Sequence, residues 1–195
     1  MKIRLSDIPN MLTIMRLLLV IPLVMLLLSE QYSFALVVFV IAGLSDGLDG
    51  LLAKHYGWTS KFGSIADPIA DKLLMVSSYF FLCWQNLLPW WLFVMILLRD
   101  LVIVGGAYTY HQLFGLDKIT PTYLSKFNTF MQILLVVLTI FRMASGTLSE
   151  DVITVTIYFV LATTLASGAQ YSGFWGSRAV KNIKDNNYRD GHNDK

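Results

Sequence analysis

The sequence predicts an all-α fold: an integral membrane bundle of six transmembrane helices with both termini on the cytoplasmic side. Three observations predict it. Of 195 residues, 55% are apolar and 14% are charged, whereas a soluble domain carries about 25% charged residues. The apolar residues gather into six runs, each close to the roughly 20 residues that cross a bilayer core as a helix. The basic residues fall almost entirely on one side of the resulting alternation. The same figures exclude a disordered chain and a nucleic-acid binder built on a basic surface. The single cysteine, Cys83, excludes a disulfide framework and a cysteine-based zinc site.

In chain order the spans are predicted at 11–28, 33–53, 67–84, 90–110, 123–145 and 152–174. The segment before the first span sets Ile3, Leu5 and Ile8 among Lys2, Arg4 and Asp7. It reads equally as a short interfacial amphipathic piece and as a plain flank. The first span is not a cleaved signal peptide, because no small-residue cleavage site follows it and five further spans do. Short connections at 30–31, 85–89 and 146–151 lie on one side, and longer ones at 54–66 and 111–122 on the other. Lys2, Arg4, Lys54, Lys61, Lys118, Arg178, Lys181, Lys184, Arg189 and Lys195 share the side of the termini, while the opposite side has Arg142 alone. The positive-inside rule makes the basic side cytoplasmic. Residues 1–175 thus form one membrane domain, and 176–195 a polar basic tail expected to be partly disordered. About ten residues precede the first span, which leaves no room for a mitochondrial transit peptide and favours a bacterial cytoplasmic membrane.

Against this background a few charges stand out. Asp46 and Asp49 close the second span and Asp67 and Asp71 open the third, all at the cytoplasmic end. A carboxylate facing lipid near mid-bilayer costs about 2.5–3.5 kcal/mol, so these acids face a polar interior or the interface. The i,i+3 and i,i+4 spacings put each pair on one helix face. Two such helices side by side gather four carboxylates, which cannot all ionise at close range without a counter-cation. An all-oxygen ligand set suits Mg²⁺ or Mn²⁺. Two such ions about 3.5–4 Å apart form the clamp used in phosphoryl chemistry. Gly47, Gly50 and Gly63 leave room for a ligand beside the backbone.

The run from Asp46 through Asp49-Gly50, Ala53-Lys54 and Gly63 to Asp67 and Asp71 resembles the signature of the CDP-alcohol phosphatidyltransferase family, Asp-x2-Asp-Gly-x2-Ala-Arg-x8-Gly-x3-Asp-x3-Asp. Seven of its eight specified positions match at the correct spacing; the departure is Lys54, where the family has Arg. Lysine keeps the charge and loses the bidentate fork. The resemblance implies that Asp46, Asp49 and Asp67 bind two divalent ions holding the diphosphate of a CDP-linked lipid. Asp71 is then the general base and also lies near the metals. Asn10, Gly50, Ala53, Lys54 and Gly63 are the implied contacts to the CDP-lipid. Arg16, Lys72, Arg99, Lys126 and Asn128 are the candidate contacts to the acceptor and its phosphate.

The acceptor alcohol divides this family. The stretches Ile8-Pro-Asn10 to Arg16 and Asp67 to Lys72 resemble glycerophosphate- and cardiolipin-forming members. Arg99-Asp100, the run from Pro121 to Gln132 and the stretch from Thr163 to Lys184 resemble cardiolipin-forming members of the mitochondrial type. The expectation is transfer from CDP-diacylglycerol to phosphatidylglycerol, with glycerol 3-phosphate as the alternative acceptor. The resemblance also implies a homodimer. An ion or proton pathway would explain intramembrane acids but not their spacing with glycines, and a non-catalytic scaffold would need no aspartates.

Overall fold

Three of the connections are built as left-handed helix caps. Glu30 has φ 58°, Asn86 φ 59° and Gly146 φ 64°. At the first, Glu30 N–H donates to Leu27 O and Gln31 N–H to Leu26 O; at the second, Asn86 N–H donates to Cys83 O and Leu87 N–H to Leu82 O. Gly146 N–H closes on Arg142 O at 2.9 Å. Each arrangement satisfies carbonyls that the last helical turn leaves over. These turns fall where the sequence predicts short connections.

The computed structural model describes the backbone of residues 8–56, 61–114 and 122–193, with side chains for 10–47, 66–106 and 122–171. Among the described residues there are six helices: α1 (Ile8–Leu28), α2 (Tyr32–Tyr56), α3 (Lys61–Trp84), α4 (Trp90–Phe114), α5 (Tyr123–Ser145) and α6 (Glu150–Asn193). The fold is all-α as expected. Among the described residues three stretches are long and apolar enough to cross a membrane: Asn10–Leu28, Tyr123–Ser145 and Glu150–Tyr171. The predicted third span carries Asp67, Asp71 and Lys72, which lowers its apolar content. Two boundaries differ from expectation. Helix α3 starts at Lys61, six residues before the predicted span, and α6 continues to Asn193, through most of the expected tail. Helical hydrogen bonding does not stop where the apolar run stops, because any residue other than proline sustains it at a cost below about 1 kcal/mol.

The chain divides into two compact units, one of Met1–Trp90 with Ile133–Val155 and the other of Trp91–Gln132 with Thr156–Lys195. In the first, α1 packs on α2 and α3. Leu23, Leu27, Ala35, Ala42, Ala70 and Leu82 are fully buried there. The side-chain amide of Gln85 donates to Leu27 O, and Tyr32 O–H donates to Gln85 Oε1 at 3.3 Å, so the short turn from α1 to α2 is tied to the end of α3. Phe80 meets the Trp90 ring edge-on at 5.6 Å and stacks on Trp84 at 6.2 Å.

In the second unit, Leu92, Ile96 and Val160 are buried beside the polar residues Asn128, Thr164 and Ser167. The outward residues are the larger apolar ones: Leu18, Met25, Phe34, Leu44, Leu101 and Val104 are each at least 60% exposed. Hydroxyls and amides inside with large apolar side chains outside is the pattern of helices dissolved in lipid.

The left-handed caps give the first prediction. Gly146→Ala is expected to lower thermal stability in detergent by about 1 kcal/mol, because a Cβ is strained at φ 64°. Glu30→Gly, at φ 58°, is expected to hold or raise it. A midpoint of unfolding that moves the opposite way in both variants would refute the caps.

Candidate active site

The first polar cluster is assembled on α1. Thr13 and Arg16 are one turn apart, so they share a face, and both are fully buried. Arg16 Nη1 lies 2.8 Å from Asp46 Oδ1 and 2.5 Å from Asp71 Oδ1. The Thr13 hydroxyl donates to Asp67 Oδ1. Two adjacent residues of one helix therefore gather carboxylates from two others, Asp46 on α2 and Asp67 and Asp71 on α3. These three acids thus meet at α1, on which both α2 and α3 pack. The side chains of Asp49, Gly50, Ala53, Lys54 and Gly63 lie outside the described residues, as does any test of their expected roles.

Asp46 and Asp71 each keep 45% of the side chain exposed, so the carboxylates are held at one edge and open at the other. A Cβ built at Gly47, next to Asp46, meets no heavy atom within 4 Å. There is room for a ligand beside this turn. Among the described residues no group of three or more His, Cys, Asp or Glu side chains is close enough to hold a metal ion. The Arg16 guanidinium sits between two of the carboxylates. The donor set is all oxygen and suits a hard divalent ion. Asn10 is partly buried in the first turn of α1, and Lys72 is exposed beside Asp71 on α3.

The second cluster lies in the other unit. Arg99 of α4 donates through Nη1 to Asp100 at 2.8 Å, and through Nη2 to Ser125 of α5 at 2.5 Å and Ser167 of α6 at 2.7 Å. One guanidinium so joins three helices. Its exposure is 9% and that of Asp100 is 13%. At the start of α5, Thr122 N–H donates to the Tyr171 hydroxyl at 3.2 Å. Fully buried Asn128 accepts at Oδ1 from Thr163 at 2.8 Å and from Thr164 at 2.9 Å. Its carbonyl is thus engaged in tying α5 to α6, while its Nδ2 is buried with no partner among the described residues. Lys126 is exposed, with Nζ 6.0 Å from the Tyr123 ring centroid.

Sequence reasoning assigned no role to Thr13, Ser125, Ser167, Thr164 or Tyr171. Two signals carry them. Thr13 and Arg16 are an i,i+3 polar pair in an otherwise apolar helix. Thr156, Val160, Thr164, Ser167 and Tyr171 recur at helical spacing, and all are buried. A hydroxyl stripe at that period marks an interior face.

Asn128→Leu is expected to destabilise the protein by about 1–2 kcal/mol, since it removes the acceptor of two hydroxyls in an apolar interior. The effect of Thr164→Val should shrink in that background, as a double-mutant cycle on thermal unfolding would read. Strictly additive effects would show that the contact carries no energy.

Comparison with known proteins completes the description. A family model described as CDP-alcohol phosphatidyltransferase matches residues 6–166. A human relative named "Cardiolipin synthase (CMP-forming)" is 31% identical over 194 residues, covering 91% of this chain and 64% of the relative. A Drosophila melanogaster protein named "Probable cardiolipin synthase (CMP-forming)" is 36% identical over 142 residues, 65% of this chain and 44% of the relative. A Mycobacterium tuberculosis protein named "Probable phosphatidylglycerophosphate synthase" is 32% identical over 187 residues, 92% of this chain and 85% of the relative. The chain therefore spans less than two thirds of the length of the first two relatives.

Proposed function

The chain belongs to the CDP-alcohol phosphatidyltransferase family, and from that premise we propose that it transfers the phosphatidyl group of CDP-diacylglycerol to a hydroxyl of phosphatidylglycerol, forming cardiolipin and CMP. The observation that carries the reading is the convergence of Asp46, Asp67 and Asp71, all signature positions, on Thr13 and Arg16 of α1.

The family is generally dependent on divalent metal ions. Asp46, Asp49, Asp67 and Asp71 are the residues that would hold two of them, Mg²⁺ or Mn²⁺, and the ions would supply positive charge against the diphosphate of the donor. Asn10, Gly50, Ala53, Lys54 and Gly63 are assigned to the CDP-lipid. Asp71, with its carboxylate still 45% exposed, takes the proton of the acceptor hydroxyl. The freed oxygen bonds to the lipid-side phosphorus, the phosphorus–oxygen bond to CMP breaks, and CMP departs with the electron pair. Lys54 is the cation that the signature expects near the nucleotide phosphates, now as a point charge rather than a fork.

Charge favours phosphatidylglycerol as acceptor. Its phosphodiester carries one negative charge, whereas the phosphomonoester of glycerol 3-phosphate carries nearly two. Of the basic residues assigned to phosphate, Arg99 is already paired with Asp100 and Arg16 with Asp46 and Asp71. Lys72, Lys126 and Asn128 complete the assigned acceptor contacts. The alternative acceptor is glycerol 3-phosphate, giving phosphatidylglycerophosphate; the printed name of the Mycobacterium relative, 85% covered, favours it. We place six spans in the membrane, with termini and aspartates on the cytoplasmic side of a bacterial inner membrane, and a homodimer as the working assembly. A cytidine nucleotide is cytosolic, which agrees with that side.

Purified protein with Mg²⁺ or Mn²⁺ and CDP-diacylglycerol, offered each acceptor alone, should form cardiolipin and CMP from phosphatidylglycerol. Product from glycerol 3-phosphate only would replace this acceptor by the alternative. Asp71→Asn should cut CMP release by at least about 10²-fold while leaving the protein folded; unimpaired release would remove the base assignment.

A further inference from the structure

Arg16 occupies the position in this molecule where two demands meet. It is fully buried, and its Nη1 reaches carboxylates from two helices, Asp46 Oδ1 at 2.8 Å and Asp71 Oδ1 at 2.5 Å. Thr13, on the same face of α1, holds Asp67. The two oxygens that Arg16 binds belong to residues assigned above to divalent ions. A carboxylate oxygen that accepts a short charge-assisted hydrogen bond has its density directed at the guanidinium. A divalent ion at about 2.0–2.3 Å from that same oxygen would sit against a second full positive charge in a medium of low dielectric, where like charges repel strongly.

We infer that Arg16 is a built-in counter-cation, which holds Asp46 and Asp71 together while divalent ions are absent and yields those oxygens when ions bind. The inference rests on the metal-dependent reading given above. Two consequences follow from the geometry. The guanidinium offsets the repulsion between the two carboxylates, and the affinity for divalent ions is set below that of the bare acids. On loading, the guanidinium donors are released from Asp46 and Asp71 and become available to an anionic phosphate. This joins the phosphate role expected of Arg16 to the ion pair it forms here. Arg16 is a positioning residue in this account, and its charge matters more than the shape of its fork.

The test needs no lipid substrate. Mn²⁺ affinity is measured on the full chain in detergent by chelator competition starting from loaded protein, so that a variant unstable without metal can still be read. Thermal unfolding is followed with chelator and with saturating Mn²⁺. Arg16→Gln should bind Mn²⁺ at least ~10-fold more tightly than the wild type, melt lower in chelator, and gain more from Mn²⁺. Arg16→Lys, which keeps the charge, should bind Mn²⁺ within ~3-fold of the wild type. Unchanged or weaker binding in Arg16→Gln, or equally tightened binding in Arg16→Lys, would overturn the inference. A wild type that binds no Mn²⁺ at all would remove the metal reading itself, and the inference with it, a result separate from either variant's behaviour.

Discussion

A guanidinium buried at the meeting point of three helices is the constraint on which the first unit turns. Arg16 lies in a helix that is otherwise almost wholly apolar, and none of its side chain is exposed. An arginine at the centre of a membrane helix costs about 2.5–3.5 kcal/mol on insertion scales, so the helix tolerates it only if the charge is met from neighbouring elements. Asp46 and Asp71 meet it. Buried ion pairs seldom outperform apolar packing in stability. What this one adds is a condition on register. Rotating α1 by one residue, about 100°, would carry Arg16 and Thr13 away from all three acids together, leaving the buried guanidinium unmet. The packing of α1 on α2 and α3 and the gathering of the acids are therefore one event.

The second unit solves a similar problem with less charge. Arg99 is offset by its sequence neighbour Asp100 and then by two hydroxyls, Ser125 and Ser167. Asp100 pairs with Arg99 on the same helix. The helices are joined through the serines instead. Asn128 with Thr163 and Thr164 repeats the pattern one turn away on α6 with no formal charge. A Cβ at Gly168, beside Ser167, would make an ordinary contact with Arg99 Cγ at 3.8 Å. Hydroxyl and amide contacts of this kind are worth about 0.6–1.7 kcal/mol each inside a bundle, enough to choose a helix face without freezing it.

Much of this was legible before any coordinates. The apolar runs located all six helices, and the short turns at Glu30, Asn86 and Gly146 lie where those runs break. The helix starts and ends were less legible. Hydropathy reports where lipid ends, whereas the backbone ladder continues to Lys61 at one boundary and to Asn193 at another. The aspartates were legible because both pairs recur at helical spacing in a chain poor in charge. The partners of Arg16 were not. Its own helix holds no acid, so the pairing exists only once α1 packs on α2 and α3, and periodicity within one helix carries no information about which neighbour it meets. Thr13 escaped for a related reason: a single hydroxyl in a membrane helix most often bonds the carbonyl four residues back, as Ser45, Ser78 and Thr139 do here.

That tertiary pairing changes the charge balance of the proposed reaction. Asp46, Asp67 and Asp71 with one guanidinium leave an anionic edge, which repels a diphosphate. Two divalent ions held by the four signature aspartates would offset them, and the charge of Arg16 would then be left over. On the proposed reading, the arginine that binds the acids here would become, on loading, the excess positive charge that an anionic donor meets. This order of events would rest on a side chain that keeps its positive charge throughout, as arginine does.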